Sequence, residues 1–285
     1  MGLVKREYEL TDKASELFSE SEKLYSGLDD DLGKANVSKG IGYTHYVRGD
    51  YIKAFNHFLY AFKLLENYHK SSFNRSSDAA EASDMVGRAL RGIVQKITSS
   101  TDARLYDESP FSRPFALPKT IAATTRECFK YQDLSLDIAK KSGDTYQICE
   151  SHLSLAISFA KLRPTNNWLT DFKEHYDEGI RLAKFHNYSL LCCLFEKYSG
   201  RVYWEQQDHE TSLNHYAELY LHSLNVRYIE RVKAIDEAIA KIASLRKEQQ
   251  IQYIEIFEKA IARNIDGSPD SRLLEDFFKE YRMAQ

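Results

Sequence analysis

Apolar side chains recur at three- and four-residue intervals along almost all of this chain, the spacing that places them on one face of a helix. In residues 5–26 they are Tyr8, Ala14, Leu17, Phe18, Leu24 and Tyr25, and the pattern stops at Gly27. The same period predicts helices over 32–47 and 50–68, hinged at Arg48-Gly49-Asp50. Another is predicted over 78–98, with Asp78 after Ser76-Ser77 as its N-cap. Helices resume at about 119–142, ended by Ser142-Gly143-Asp144, and continue through 145–162, 168–185, 189–206 and 208–223. Residues 226–264 read as one long helix or two abutting ones, and 270–283 as a short terminal helix. Between 99 and 120 the period vanishes and three of the five prolines occur; a segment of that kind inside a compact fold is usually functional or disordered.

Some of the predicted helix pairs can be laid over one another. Ile41-Gly42, His45-Tyr46, Gly49-Asp50-Tyr51, Ala54, Phe58 and Ala61 match Ser199-Gly200, Tyr203-Trp204, Gln207-Asp208-His209, Ser212, Tyr216 and Leu219, position for position. Leu153-Ser154 and Ile157, with the later Tyr176, Gly179-Ile180 and Leu182-Ala183, fit the frame with a stretched turn, and Val86-Gly87 with Leu90 offers a fourth start. Gly, Ser or Ala at the recurring small sites lets two helices approach closely, and an aromatic at Phe58, Tyr176 and Tyr216 fills the wedge between neighbouring hairpins.

This pattern resembles the tetratricopeptide repeat family, in a variant with long helices and a spacing of about 40–45 residues. The resemblance implies an all-α, right-handed superhelical solenoid of about four hairpins over 31–223, with residues 1–30 as an N-terminal helix and 224–285 as a helical cap. The irregular loop 99–118 interrupts it. It also implies that the first helix of each hairpin lines a concave groove that takes a peptide or a partner helix. The groove positions are Asn36, Lys39, Tyr43 and Tyr46; Glu81, Asp84, Arg88 and Arg91; Ile148, Ser151, Leu155 and Ser158; and Leu194, Lys197, Arg201 and Trp204. Five basic side chains against two acidic ones point to an acidic or carboxylate-bearing segment, with arginine forks on its carboxylates. The alternative for the same charges is internal pairing, as Asp84 with Arg88 at i, i+4. The family's two-carboxylate clamp is incomplete, because Tyr43 stands where an asparagine is expected.

Composition narrows the function. Net charge is −3, which lacks the basic footprint of a general nucleic-acid binder. No stretch reaches 18 apolar residues, and the opening "MGLVKREYELTDK" has no apolar run, so the expectation is a cytoplasmic protein without membrane insertion. Cys128, Cys149, Cys192 and Cys193 form no C-x-x-C pair and read as reduced thiols, with Cys192 and Cys193 as small core residues. His209 and His215 in "HETSLNH" are six apart and do not share a helix face, so they make no zinc hydrolase motif. Glu174, His175, Asp177 and Glu178 read as a charged helix face, or in the least favoured alternative as an unfamiliar active site. The expectation is therefore a non-catalytic scaffold or adaptor, with no cofactor and no metal.

Residues 227–250 carry an apolar seam of Tyr228, Val232, Ile235, Ile239 and Ile242 that lapses at Arg246 and Gln249. It is too short for a coiled-coil assignment on its own. Two readings follow: the seam seals the last hairpin, or it forms a homodimer contact through 226–264, as in a regulatory sensor whose ligand shifts solenoid curvature.

Overall fold

A computed structural model describes residues 2–69, 76–99, 118, 120–223 and 228–262. The predicted loop 99–118, apart from its two ends, and the predicted helix 270–283 lie outside them, as do the side chains of Tyr228, Val232 and Ile235. Every regular element among the described residues is a helix: α1 (Gly2–Ser26), α2 (Asp31–Val47), α3 (Tyr51–His69), α4 (Ser76–Ser99), α5 (Ile121–Ser142), α6 (Thr145–Leu162), α7 (Trp168–Phe185), α8 (Ser189–Glu205), α9 (His209–Ser223), α10 (Tyr228–Ala243) and α11 (Lys247–Ala262). Residues 226–264 are thus two helices, separated at Ser244–Arg246. The helix predicted from Asp78 begins at Ser76, so Asp78 sits in its first turn rather than capping it.

Four helix ends share one turn chemistry. A residue with positive φ (Gly49, 77°; Gly143, 70°; Asn187, 58°; Gln207, 63°) stops the helix. The amide of the following residue then reaches back five positions: Asp50 to His45 O at 2.9 Å, Asp144 to Ala139 O at 3.2 Å, Tyr188 to Ala183 O at 2.8 Å, Asp208 to Tyr203 O at 3.0 Å. This is the Schellman arrangement, which satisfies carbonyls that the helix itself leaves open. Two of these junctions then start the next helix at once, because Asp144 and Asp208 accept from the amides of Gln147 and Thr211.

The chain divides into two compact units, Met1–Asp177 and Glu178–Gln285, at a point inside α7. In the first, α1 lies antiparallel on α2: Tyr25 sits against Gly33, Phe18 against Gly40, and Asp12 pairs with Arg48. The core spans α2 to α5, with Phe55, Phe58, Phe62, Leu65, Val86, Leu90 and Cys128 among its buried members. Each large apolar side chain so removed from water contributes about 1.5–3 kcal/mol.

In the second unit, α8 and α9 make a hairpin that α10 and α11 cover. Leu213, Tyr216, Tyr220, Ala238, Ile242, Ile254 and Phe257 form its core. Ile242, from the predicted seam, is fully buried there, so this part of the seam seals α9 rather than facing outward.

The recurring glycine of the two matched hairpins has one physical role in both. A Cβ on Gly42 would come within 2.6 Å of the Phe58 ring, and one on Gly200 within 2.9 Å of the Tyr216 ring. Phe58 and Tyr216 are themselves among the most buried side chains of their units. Any side chain at either glycine would push the hairpin apart.

Candidate functional site

In the first unit, α2, α4 and α6 are tied side by side by polar contacts that cations predicted to line a groove make with neighbouring helices. Lys39 reaches across from α2 to α4, donating to Asp78 Oδ1 at 3.2 Å and Glu81 Oε2 at 2.6 Å. Its side chain is only 11% exposed. Arg88 lies 2.6 Å from the Asp84 carboxylate, donates to Ser154 Oγ at 2.9 Å and approaches Glu150 at 3.8 Å. Burial alone would lower the pKa of this guanidinium, but Asp84 and Glu150 outweigh that and raise it.

Arg91 departs further from its predicted place. It is buried, and Nη1 donates to Ser154 O at 3.1 Å and to Ser158 Oγ at 2.9 Å. Its charge is used inside the bundle, so it does not line an open groove. Ser151, Leu155 and Ser158 are likewise buried rather than groove-facing, because α6 packs against both α4 and α5.

These contacts correct the expected electrostatics. Lys39, Arg88 and Arg91 share their surroundings with Asp78, Glu81, Asp84 and Glu150, so the basic excess counted from the sequence is absent here. The count failed because Asp78 and Glu150, which the groove positions omitted, fold onto the cations. The i, i+4 pairing of Asp84 with Arg88 was the part visible in the sequence.

Several large apolar side chains of this unit remain in water. Tyr43 is 55% and Val47 52% exposed, one turn apart on α2. Asn36 lies exposed on the same face, two turns before Tyr43. Tyr46 is half-buried, edge-on to Tyr51 with ring centroids 5.4 Å apart. On α1, Leu17 and Leu24 are each more than half exposed, seven residues apart and so on one face, and Leu28 in the turn that follows is more than half exposed too. Tyr146, at the start of α6, is also exposed.

In the second unit Arg201 and Trp204 of α8 meet side chains of α10. Arg201 binds Glu237 through two nitrogens, at 2.5 and 3.0 Å, and the Tyr216 hydroxyl donates to the same carboxylate at 3.0 Å. Burial would raise the Glu237 pKa, but the Arg201 hydrogen bonds win and hold it below the usual carboxylate value. Lys197 adds to that field, and Lys241 of α10 lies 5.2 Å from the Trp204 ring centroid. Lys197, Arg201 and Trp204 therefore help to bind the C-terminal helices to the hairpin.

The other sequence candidates are also accounted for. His175 sits 3.0 Å from His152, Nδ1 to Nδ1, and stacks on Phe159, which makes it part of the packing between α6 and α7. His209 packs on Trp204 and Tyr253, whereas His215 binds Glu196 at 2.7 Å, so the two do not converge. All four cysteines are buried thiols outside any disulfide; burial pushes the Cys128 and Cys192 thiols up to about 11. A cavity of about 620 Å³ opens beside Phe55, Leu59, Leu90 and Tyr131, with Arg126, Glu127 and Lys130 among its lining; Lys130 and Glu127 pair with each other at 3.1 Å.

Sequence reasoning passed over Glu196, Glu218 and His222, whose donor atoms gather in the second unit. The i, i+4 spacing of Glu218 and His222 was a legible signal; the approach of Glu196 from α8 was not. No described helix is long and apolar enough to cross a membrane. No protein-family model matches the chain, and no curated protein matches it.

Proposed function

We propose that this chain is a non-catalytic interaction module built of tetratricopeptide-like hairpins, and that it works by holding a segment of another protein. The observation that carries the reading is the set of exposed apolar side chains on α1, α2 and the turn between them: Leu17 and Leu24 on α1, Leu28 just after it, and Tyr43 and Val47 on α2. Exposed apolar side chains repeated along neighbouring helices suit the apolar face of a partner helix. Tyr43 adds rigid contact area at low entropic cost. The recurrence of one turn type at four helix ends and of one glycine–aromatic contact in two hairpins supports the repeat reading.

Of the cations expected to line the groove in the first unit, Lys39 and Arg88 are committed to internal carboxylates and Arg91 to α6, so an acidic partner loses its basis. The partner that fits is an amphipathic segment held mainly by apolar contact.

The test compares partner recovery by the wild-type chain, by Tyr43→Ser/Val47→Ser and by Leu17→Ser/Leu24→Ser, all with matched circular dichroism. Loss of the same partner in either double variant, at unchanged melting temperature, supports the reading. Recovery unchanged in both would remove it.

A further inference from the structure

We propose that Glu196, Glu218 and His222 form a binding site for a divalent transition-metal ion of zinc-like chemistry, clipping α8 to α9. Three donors converge there from two helices. Glu218 and His222 stand one turn apart on α9, and Glu196 approaches from α8; one ligating atom of each lies within 4.8 Å of the others. Tetrahedral zinc at about 2.0–2.1 Å from oxygen and nitrogen donors needs them roughly 3.4 Å apart, so the donors would close in on the ion by up to about 1.4 Å.

The environment has further features that point to a ligand. The Glu196 carboxylate is buried to 1% exposure, and His215 holds its Oε2 at 2.7 Å, which orients the acid as a positioning residue orients a metal ligand. His222 Nε2 is buried, makes no hydrogen bond, and faces Glu218 Oε2 at 3.8 Å.

Lys184 now serves as the counter-charge, 3.5 Å from Glu196 Oε1 and 3.7 Å from Glu218 Oε2. Its side chain is 46% exposed, so it can swing into water when a dication replaces it. Two carboxylates then balance the ion's two charges. A mixed oxygen and imidazole donor set selects first-row transition ions over magnesium or calcium.

The test titrates the full chain, stripped with a chelator, with Zn2+ by calorimetry and with Co2+ by visible absorption. One Zn2+ per chain is expected, with low-symmetry cobalt d–d bands and a melting temperature that rises with added Zn2+. His222→Ala and Glu218→Gln, both at partly exposed positions and checked by circular dichroism, should each weaken binding at least tenfold. Lys184→Met should tighten it by removing the competing ammonium. Absence of Zn2+ binding by the wild-type chain would overturn the proposal, as would wild-type affinity in both ligand variants. The outcome does not depend on the interaction surface of α1 and α2.

Discussion

Replacing Arg88 by methionine removes a guanidinium from a carboxylate that has almost no access to water. Asp84 is 2% exposed, Arg88 Nε lies 2.6 Å from its Oδ2, and its Oδ1 has no hydrogen-bond partner. Breaking a buried pair by deleting one partner costs about 3–5 kcal/mol, because the remaining charge is uncompensated. The lower end applies here, since Arg88 itself is 29% exposed and water can enter the space it leaves. At about 3 kcal/mol, the melting temperature should fall by roughly 6–12 °C for a unit of this size. Asp84→Leu/Arg88→Met, which removes both charges, should return to within about 1 kcal/mol of the wild type. Urea denaturation of the two single variants and the double variant gives the coupling energy directly. A single-variant cost below about 1 kcal/mol with no coupling would refute the reasoning, and would return Arg88 to the list of cations free to hold a partner.

Two further outcomes follow from particular side chains. Burial, reinforced by neighbouring His45, holds His57 down from 6.5 to about 4. The unfolded chain therefore takes up this proton first, and stability present above pH 6.5 is lost as pH falls through 4. The full effect is about 3 kcal/mol, of which about 2 is gone by pH 5. His57→Gln should lose about 2 kcal/mol less than wild type between pH 7 and pH 5 in urea midpoints; equal losses would contradict the assignment. Gln207 holds a left-handed conformation where the matching turn has Gly49. Gln207→Gly should raise stability by about 0.5–1 kcal/mol in thermal melts, and a fall would show that the side chain contributes more than its strain costs.

The helices were legible in the sequence because each segment needs only its own residues to be recognised. Apolar spacing, with the breaks at Gly49 and Gly143, located most of the described elements to within about two residues. The Gly42–Phe58 and Gly200–Tyr216 contacts were also foreshadowed, since a recurring small residue opposite a recurring aromatic has one close-packed solution. Asp78 was misjudged as a cap because helix ends are set by the local competition of several polar residues, of which Ser76 and Ser77 come first.

Which charges remain available was decided only by the tertiary structure. A sequence assigns Lys39, Arg88, Arg91, Lys197 and Arg201 their charges, but a cation is spent or free according to which carboxylate folds within about 4 Å of it. Glu81, Glu150 and Glu237 arrive from helices distant in sequence, and Arg91 finds two serines of α6. The same holds for Glu196, which reaches Glu218 and His222 only because α8 and α9 pack as a hairpin. Periodicity along the chain thus determined that this protein is helical and where its helices turn. Packing between helices determined which face meets water, because burial depends on neighbours that no single segment specifies.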